Sequence, residues 1–241
     1  MSRDELFANP QQVVDFVFNA EVADVFPDML RRSVPGYETL ISQLGVLARH
    51  YVQADSKVYD LGCSLGAATL SMASQTTPVA GVRFIGVDNS EAMISRCEQR
   101  LARHLPTDRF ELHCDDICSI PMDSASLMVL NFTLQFVEPE ARQALLDKLY
   151  QALLPGGALI LSEKTKASDE SEQTLINDLY LEFKRSNGYS EMEISQKRSA
   201  LEKVMIPDTV EIHIERLKQA GFSQVSLWFR SFSFVSILAV K

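Results

Sequence analysis

Apolar residues fall into two regimes along this chain, and the change comes near residue 57. Before it the spacing is helical. Between Asn19 and Met29, apolar Val22, Val25 and Phe26 intersperse with acidic Glu21, Asp24 and Asp28; after a break at Val34-Pro35-Gly36, a second apolar helix runs from Tyr37 to about Tyr51. From Val58 onward, short apolar runs alternate with helical stretches, a pattern that implies parallel strands joined by right-handed crossovers. The predicted strands are Val58 to Leu61, Arg83 to Val87, Phe110 to Cys114, Leu127 to Leu130 and Ala158 to Ser162. Between them lie helices from about Ala67 to Ser74, from Glu91 to about His104 behind a Ser90 cap, and from Pro139 to about Leu154, where Pro155-Gly156-Gly157 stops the chain. Residues 163–207 interrupt this march: they are polar and mostly helix-forming, break at Asn187 to Ser190, and resume as a helix from Glu191 to Val204. The tail reads as a helix from Thr209 to Ala220, a Gly221 stop, and two strands, Gln224 to Phe229 and Phe232 to Val240, parted by Arg230-Ser231. The expected fold class is α/β: a Rossmann-like, mostly parallel seven-stranded sheet with an antiparallel closing hairpin and an N-terminal helical cover over residues 1–50.

The chemistry sits where the strands end. Lys57 to Leu70 begins as a strand, carries Asp60 at its end, turns on Gly62, Cys63, Ser64 and Gly66, and enters a helix at Ala67-Ala68. Glycine at 62 allows positive φ and close approach of a ligand, and Gly66 allows close packing of the following helix. The spacing departs from the Gly-x-Gly-x-x-Gly that cradles a pyrophosphate. An acidic residue before the turn suits a cationic ligand, and the sulfonium and ammonium groups of S-adenosylmethionine fit. Asp88, followed by Asn89 at the end of the second strand, lies 26 residues after Gly62, where a carboxylate grips a ribose diol; the alternative is a turn or capping aspartate. Asp116 accepts from an adenine amine while Ile117 covers the ring, or else the pair belongs to a solvated acidic turn. Asn131 closes the fourth strand. At the carboxyl ends of an open parallel sheet, Gly62, Asp88, Asp116 and Asn131 would converge on one crevice. Tyr37, at the helix break, is the residue of the cover to notice, though a tyrosine at a helix start more often packs. Arg198 and Lys197 in the insertion are either a solvated helical face or the local cations an anionic substrate needs in an acidic protein.

Composition narrows the field. At 241 residues and 46% hydrophobic content the chain can bury a sizeable core, and the absence of repeats or long linkers points to a single domain across 1–241. A net charge of −9 argues against a broad grip on nucleic acid and favours small-molecule partners. No run approaches the roughly 20 apolar residues of a membrane span and no signal peptide opens the chain, so a cytoplasmic location is expected. The four cysteines do not form a disulfide framework, and His113, Cys114 and Cys118 lack a second ligand pair at zinc spacing, so no metal is expected.

The helix, Pro-Gly-Gly, strand order around residue 155 is similar to that of class I methyltransferases. More specifically, Arg32-Ser33-Val34-Pro35-Gly36-Tyr37, Val58 to Ser64, Leu130 to Phe136, Gly188-Tyr189-Ser190-Glu191 and Ile194 to Ser199 closely resemble the carboxy-S-adenosyl-L-methionine synthase family. The resemblance is weakest around Asn9 to Val14, Ala73 to Gly81 and Lys164 to Asn177. It implies conversion of S-adenosylmethionine and prephenate into carboxy-S-adenosylmethionine and phenylpyruvate, with the product used by a partner enzyme that carboxymethylates a wobble uridine of tRNA. It also implies that Tyr37, Gly62, Cys63, Ser64, Asp88, Asn89, Asp116, Ile117 and Asn131 bind the cofactor. By the same resemblance, the family forms a homodimer in which Arg198 reaches the product's carboxylate from the neighbouring subunit. No histidine or cysteine stands out as a base; the resemblance implies that hydroxide leaving prephenate takes the methyl proton, with Arg198 in an electrostatic and positioning role. Two other readings are an ordinary methyltransferase acting on a small molecule or tRNA, and a non-catalytic cofactor-binding partner.

Overall fold

A computed structural model describes residues 3–10 and 15–241; the parts of the expected N-terminal cover at 1–2 and 11–14 lie outside them. The helices of that cover are α1 (Ala20–Ser33), whose first turn is closed by Asn19 accepting from the Val22 N–H, and α2 (Tyr37–Tyr51). Helix α1 runs four residues past the expected Met29, straight through Pro27.

Among the described residues, seven strands form one sheet in the order β3-β2-β1-β4-β5-β7-β6. They are β1 (Lys57–Leu61), β2 (Arg83–Asp88), β3 (Phe110–Cys114), β4 (Ala125–Asn131), β5 (Leu153–Lys164), β6 (Gln224–Ser231) and β7 (Phe234–Val240). The first five are parallel, and β7 is antiparallel to both of its neighbours. Strand order reverses at β1, which lies between β2 and β4, so the switch point falls where the glycine turn leaves the sheet.

Both faces are covered, which explains the near-continuous apolar character of the central strands. Alternation along β4 sends Leu127 and Val129 to the side packed by Leu40, Leu44 and Ala48 of α2 and Met72 of α3 (Ala67–Gln75). Met128 and Leu130 face Leu145 and Leu149 of α5 (Arg142–Ala152) and Leu217 of α8 (Val210–Ala220). Helix α4 (Glu91–Leu101), capped by the Ser90 hydroxyl, ends three residues short of the expected His104.

Three boundary expectations change. Pro155-Gly156-Gly157 does not separate helix from strand: α5 ends at Ala152, and β5 already pairs through Leu153 with Ala125. The register then shifts between Ala125 and Leu127, and Gly156 takes φ 73°, so the motif is an irregularity inside the strand. Pro139 heads a short 3-10 turn, and α5 begins only at Arg142. The closing hairpin turns at Phe232 (φ 52°) and Ser233 rather than at Arg230-Ser231.

The polar stretch after β5 folds as α6 (Glu170–Ser186) and α7 (Glu191–Leu201). Helix α7 starts with a capping box: Ser190 Oγ accepts from the Glu193 N–H, and Glu193 accepts from the Ser190 N–H at 2.7 Å. Its docking is set by a buried polar network. Lys197 Nζ lies 3.4 Å from Asp4, whose carboxylate also accepts from the Tyr189 hydroxyl. Arg32 donates to the carbonyls of Asp4, Asn187 and Gly188 and stacks 3.9 Å over the Tyr189 ring. Three of the motifs that carry the family resemblance, the first far in sequence from the other two, thus meet in one knot.

Candidate active site

A cavity of about 1080 Å³ opens at the carboxyl ends of the parallel strands and is roofed by α1, α6 and α7. Tyr37, Gly62, Cys63, Ser64, Asp88, Asn89, Asp116, Ile117, Asn131 and Arg198 all line it. The volume exceeds what one drug-sized ligand needs, leaving room for two reactants side by side.

The glycine turn is shaped by its neighbours. Gly62 has φ 79°, and a Cβ there would lie 2.2 Å from Thr133 Oγ1, a hydroxyl held in place by donating to the Leu61 carbonyl at 2.8 Å. Only glycine fits. Gly66, at φ 72°, is pressed against Cys97 and Leu101 of α4, so its close approach serves α4 rather than its own helix. Ser64 follows at φ 43°, and its N–H donates to Asp88 Oδ2 at 2.9 Å.

Four polar groups border the sheet side. Asp60 is buried; its Oδ2 accepts from the Thr69 N–H (3.0 Å) and hydroxyl (2.6 Å). Burial pushes its pKa up to about 6; the Thr69 donors oppose this and the Asp88 charge adds to it. Asp88 lines the cavity and accepts from the N–H groups of Ser64 and Ser90, one on each oxygen, so it serves the turn and keeps further acceptor capacity on each oxygen. Burial raises its pKa, and those two N–H groups pull it back. Asp116 is exposed and accepts from the Cys118 N–H at 2.8 Å, beside the buried Ile117. Asn131 Oδ1 is buried with no hydrogen-bond partner among the described residues, an acceptor that a ligand ammonium would satisfy. The loop after Asn131 is fixed by Glu163, fully buried, which accepts from the Leu134 and Gln135 N–H groups at 2.8 and 3.0 Å. Burial pushes the Glu163 pKa up to about 8, against those two N–H groups and the Arg142 charge.

The opposite end is basic. The resemblance brings Arg198 to the product from a neighbouring subunit, whereas here Arg198 of α7 lines this chain's own cavity. With it come Lys164, the last residue of β5, and Lys184 of α6, both on the cavity wall and neither singled out by the sequence. Lys164 was legible in principle, because it ends a central strand where ligands bind. Lys184 is one of six charged residues in the 17 of α6, and only the docking of that helix turns it inward. Of the zinc candidates, His113 Nε2 lies 3.0 Å from Glu111, and no group of three His, Cys, Asp or Glu suited to a metal occurs among the described residues.

The arrangement matches what comparison with known proteins finds. A methyltransferase domain family matches residues 58–157, β1 through the Pro-Gly-Gly motif. An O-methyltransferase family protein from Burkholderia thailandensis shares the fold at a TM-score of 0.67, over 93% of this chain and 60% of that one, with 14% sequence identity. The carboxy-S-adenosyl-L-methionine synthase of Shewanella piezotolerans is 54% identical over 241 residues, covering 100% of this chain and 99% of that protein. The same enzyme from Pasteurella multocida is 51% identical over 242 residues, covering 100% of both. Sheet order, glycine turn and strand-end carboxylates define a class I protein of the S-adenosylmethionine-dependent methyltransferase fold. Within that class, the chain belongs to the carboxy-S-adenosyl-L-methionine synthase family.

Proposed function

We propose that this protein converts S-adenosylmethionine and prephenate into carboxy-S-adenosylmethionine and phenylpyruvate. The observation that carries the reading is the division of charge in one cavity: Asp60, Asp88 and Asp116 at the sheet side, Arg198 with two lysines at the other. A cationic cofactor with a ribose and an amino group suits the first end, and a carboxylated donor suits the second.

Bound S-adenosylmethionine would supply a sulfonium-activated methyl group. Asp88 would hold the ribose diol, Asp116 and Ile117 the adenine, and Asn131 and Asp60 the ammonium group. The balance of the reaction needs no oxidant. The ring carboxyl of prephenate leaves as carbon dioxide as its carbon bond breaks, those electrons aromatise the ring, and hydroxide departs. One methyl C–H bond breaks, its proton joins the hydroxide as water, and a new carbon–carbon bond joins the methyl carbon to the carbon dioxide. This chain's part is to keep bulk water out under α6 and α7 and to place Arg198 where the transferred carboxylate comes to rest. Arg198 acts by charge and position, not as a base.

The same reading makes the protein a cytoplasmic homodimer whose product feeds a tRNA carboxymethyltransferase acting on wobble uridine. Leu175 and Leu179 of α6, 59% and 43% exposed, give a partner subunit an apolar face to cover. The net charge of −9 leaves tRNA to that second enzyme, and no described helix is long and apolar enough to cross a membrane. The test is mass spectrometry of product from purified protein, S-adenosylmethionine and prephenate. Arg198→Ala is expected to abolish carboxylated product while leaving S-adenosylmethionine binding intact. S-adenosylhomocysteine as the product would instead indicate an ordinary methyltransferase, and ligand binding without turnover a carrier.

A further inference from the structure

The basic end of the cavity holds more charge than one transferred carboxylate requires. Lys164 Nζ sits 4.9 Å from the centre of the Tyr180 ring and Lys184 Nζ sits 4.5 Å from it, so one aromatic ring bridges the two ammonium groups. That ring is immobilised, because the Tyr180 hydroxyl donates to the Ser33 carbonyl at 2.9 Å. Tyr180 itself stays neutral, its pKa pushed up by burial.

Lys184 is only 7% exposed, yet among the described residues neither Lys164 nor Lys184 forms an ion pair or a side-chain hydrogen bond, whereas neighbouring Lys197 is matched by Asp4. Asp178 and Glu202 also line the cavity, but neither forms an ion pair with these lysines. Burial first, then repulsion from Lys164, Lys197 and Arg198, brings the Lys184 pKa down to about 7; burial and Arg198 bring Lys164 down to about 8. Two adjacent, unneutralised, largely desolvated cations are unfavourable unless an anion joins them.

We propose that Lys164 and Lys184 form a subsite for the carboxylate that the carboxyl donor keeps, the 2-oxo-acid carboxylate that leaves with phenylpyruvate, while Arg198 takes the carboxylate that is transferred. This rests on the proposed prephenate reaction. The two anionic groups of one donor then meet two separate cationic positions, and a donor lacking the retained carboxylate is discriminated against by the lysines left unpaired. The Tyr180 ring sets the lysine spacing and is a positioning residue.

The test compares wild type with Lys164→Met, Lys184→Met and the double variant, all in the presence of S-adenosylmethionine. Removing an unmatched buried cation keeps the volume, so the variants are expected to melt no lower than wild type; Lys184→Gln serves as a second variant. Calorimetric titration with phenylpyruvate reads the subsite without turnover, and steady-state kinetics gives KM for prephenate. Each single variant is expected to weaken phenylpyruvate binding and raise KM roughly tenfold or more, with S-adenosylmethionine affinity unchanged and Lys184→Arg restoring part of the loss. Variants that bind phenylpyruvate and prephenate as wild type does would overturn the proposal while leaving the reaction standing. A wild-type protein that makes no carboxylated product yet loses phenylpyruvate binding on substitution would sink the reaction and keep the subsite.

Discussion

Arg142 gives the sharpest stability prediction. Its side chain is fully buried at the start of α5. Its Nε donates to the Val137 carbonyl at 2.9 Å, Nη1 to Asp208 Oδ2 at 2.6 Å, and Nη2 to the carbonyls of Ile206 at 2.9 Å and Gln135 at 3.3 Å. One guanidinium therefore clamps the loop after β4, which forms one cavity wall, to the segment after α7, which forms another. In Arg142→Met, Asp208 keeps Arg216 as an ion-pair partner and the Gln135 carbonyl keeps the Ile206 N–H, so neither is orphaned. The carbonyls of Val137 and Ile206 lose their charged donor, and each loss costs about 1–3 kcal/mol. The expected destabilisation is about 2–6 kcal/mol, a drop of roughly 4–24 °C in melting temperature for a chain of this length. Arg142→Lys keeps charge but cannot fork to several acceptors, so it should fall between the two. Calorimetry or circular dichroism on heating, with urea titration in parallel, gives the number. An Arg142→Met protein melting within a degree of wild type would refute the clamp.

Other consequences follow from the same geometry. Gly62→Ala places a methyl against Thr133 Oγ1 at positive φ and should lose cofactor affinity by tenfold or more, read by calorimetry. Asp88→Asn removes a charged acceptor from the proposed ribose position and should weaken S-adenosylmethionine binding roughly tenfold, with the loop's Ser64 and Ser90 N–H contacts partly kept. Glu163 has an ordinary pKa of 4.5 and a folded value of about 8; between these the folded chain holds a proton the unfolded chain has released, so its contribution to stability falls as pH rises through that window. Stability curves of Glu163→Gln should accordingly be flatter than wild type from about pH 5 to 8, and an identical slope would contradict the assignment. Asp4→Ala leaves Lys197 buried without its carboxylate and should cost about 3–5 kcal/mol, seen as a lowered melting temperature.

Much of the fold was legible because its signals are local. The Leu127–Leu130 run of β4 is apolar since both faces are covered, Ser90 caps the helix that follows it, and Gly62 must bend where only glycine can. Local signals misled where two structures share them. Pro-Gly-Gly stops a helix or kinks a strand equally well, and only the pairing of Leu153 with Ala125 decides for the strand. Helices α4 and α7 end at Leu101 and Leu201, short of the expected His104 and Val204, because nothing in the residues marks where packing stops.

The acidic side of the cavity follows from position: carboxylates and amides at or just past the ends of parallel strands gather at one mouth, and Asp88, Asp116 and Asn131 do. The basic side does not. Lys164 and Lys184 are 20 residues apart, and nothing in the sequence joins them until the docking of α6 brings both against the Tyr180 ring. Likewise Asp4, Arg32, Tyr189 and Lys197 carry no shared periodicity, yet their knot orients the helix that bears Arg198. The physical reason is the range of the interactions: turns and strand ends are dictated by neighbours in sequence, whereas the pairing or isolation of a buried charge depends on what the whole chain brings within a few ångströms of it.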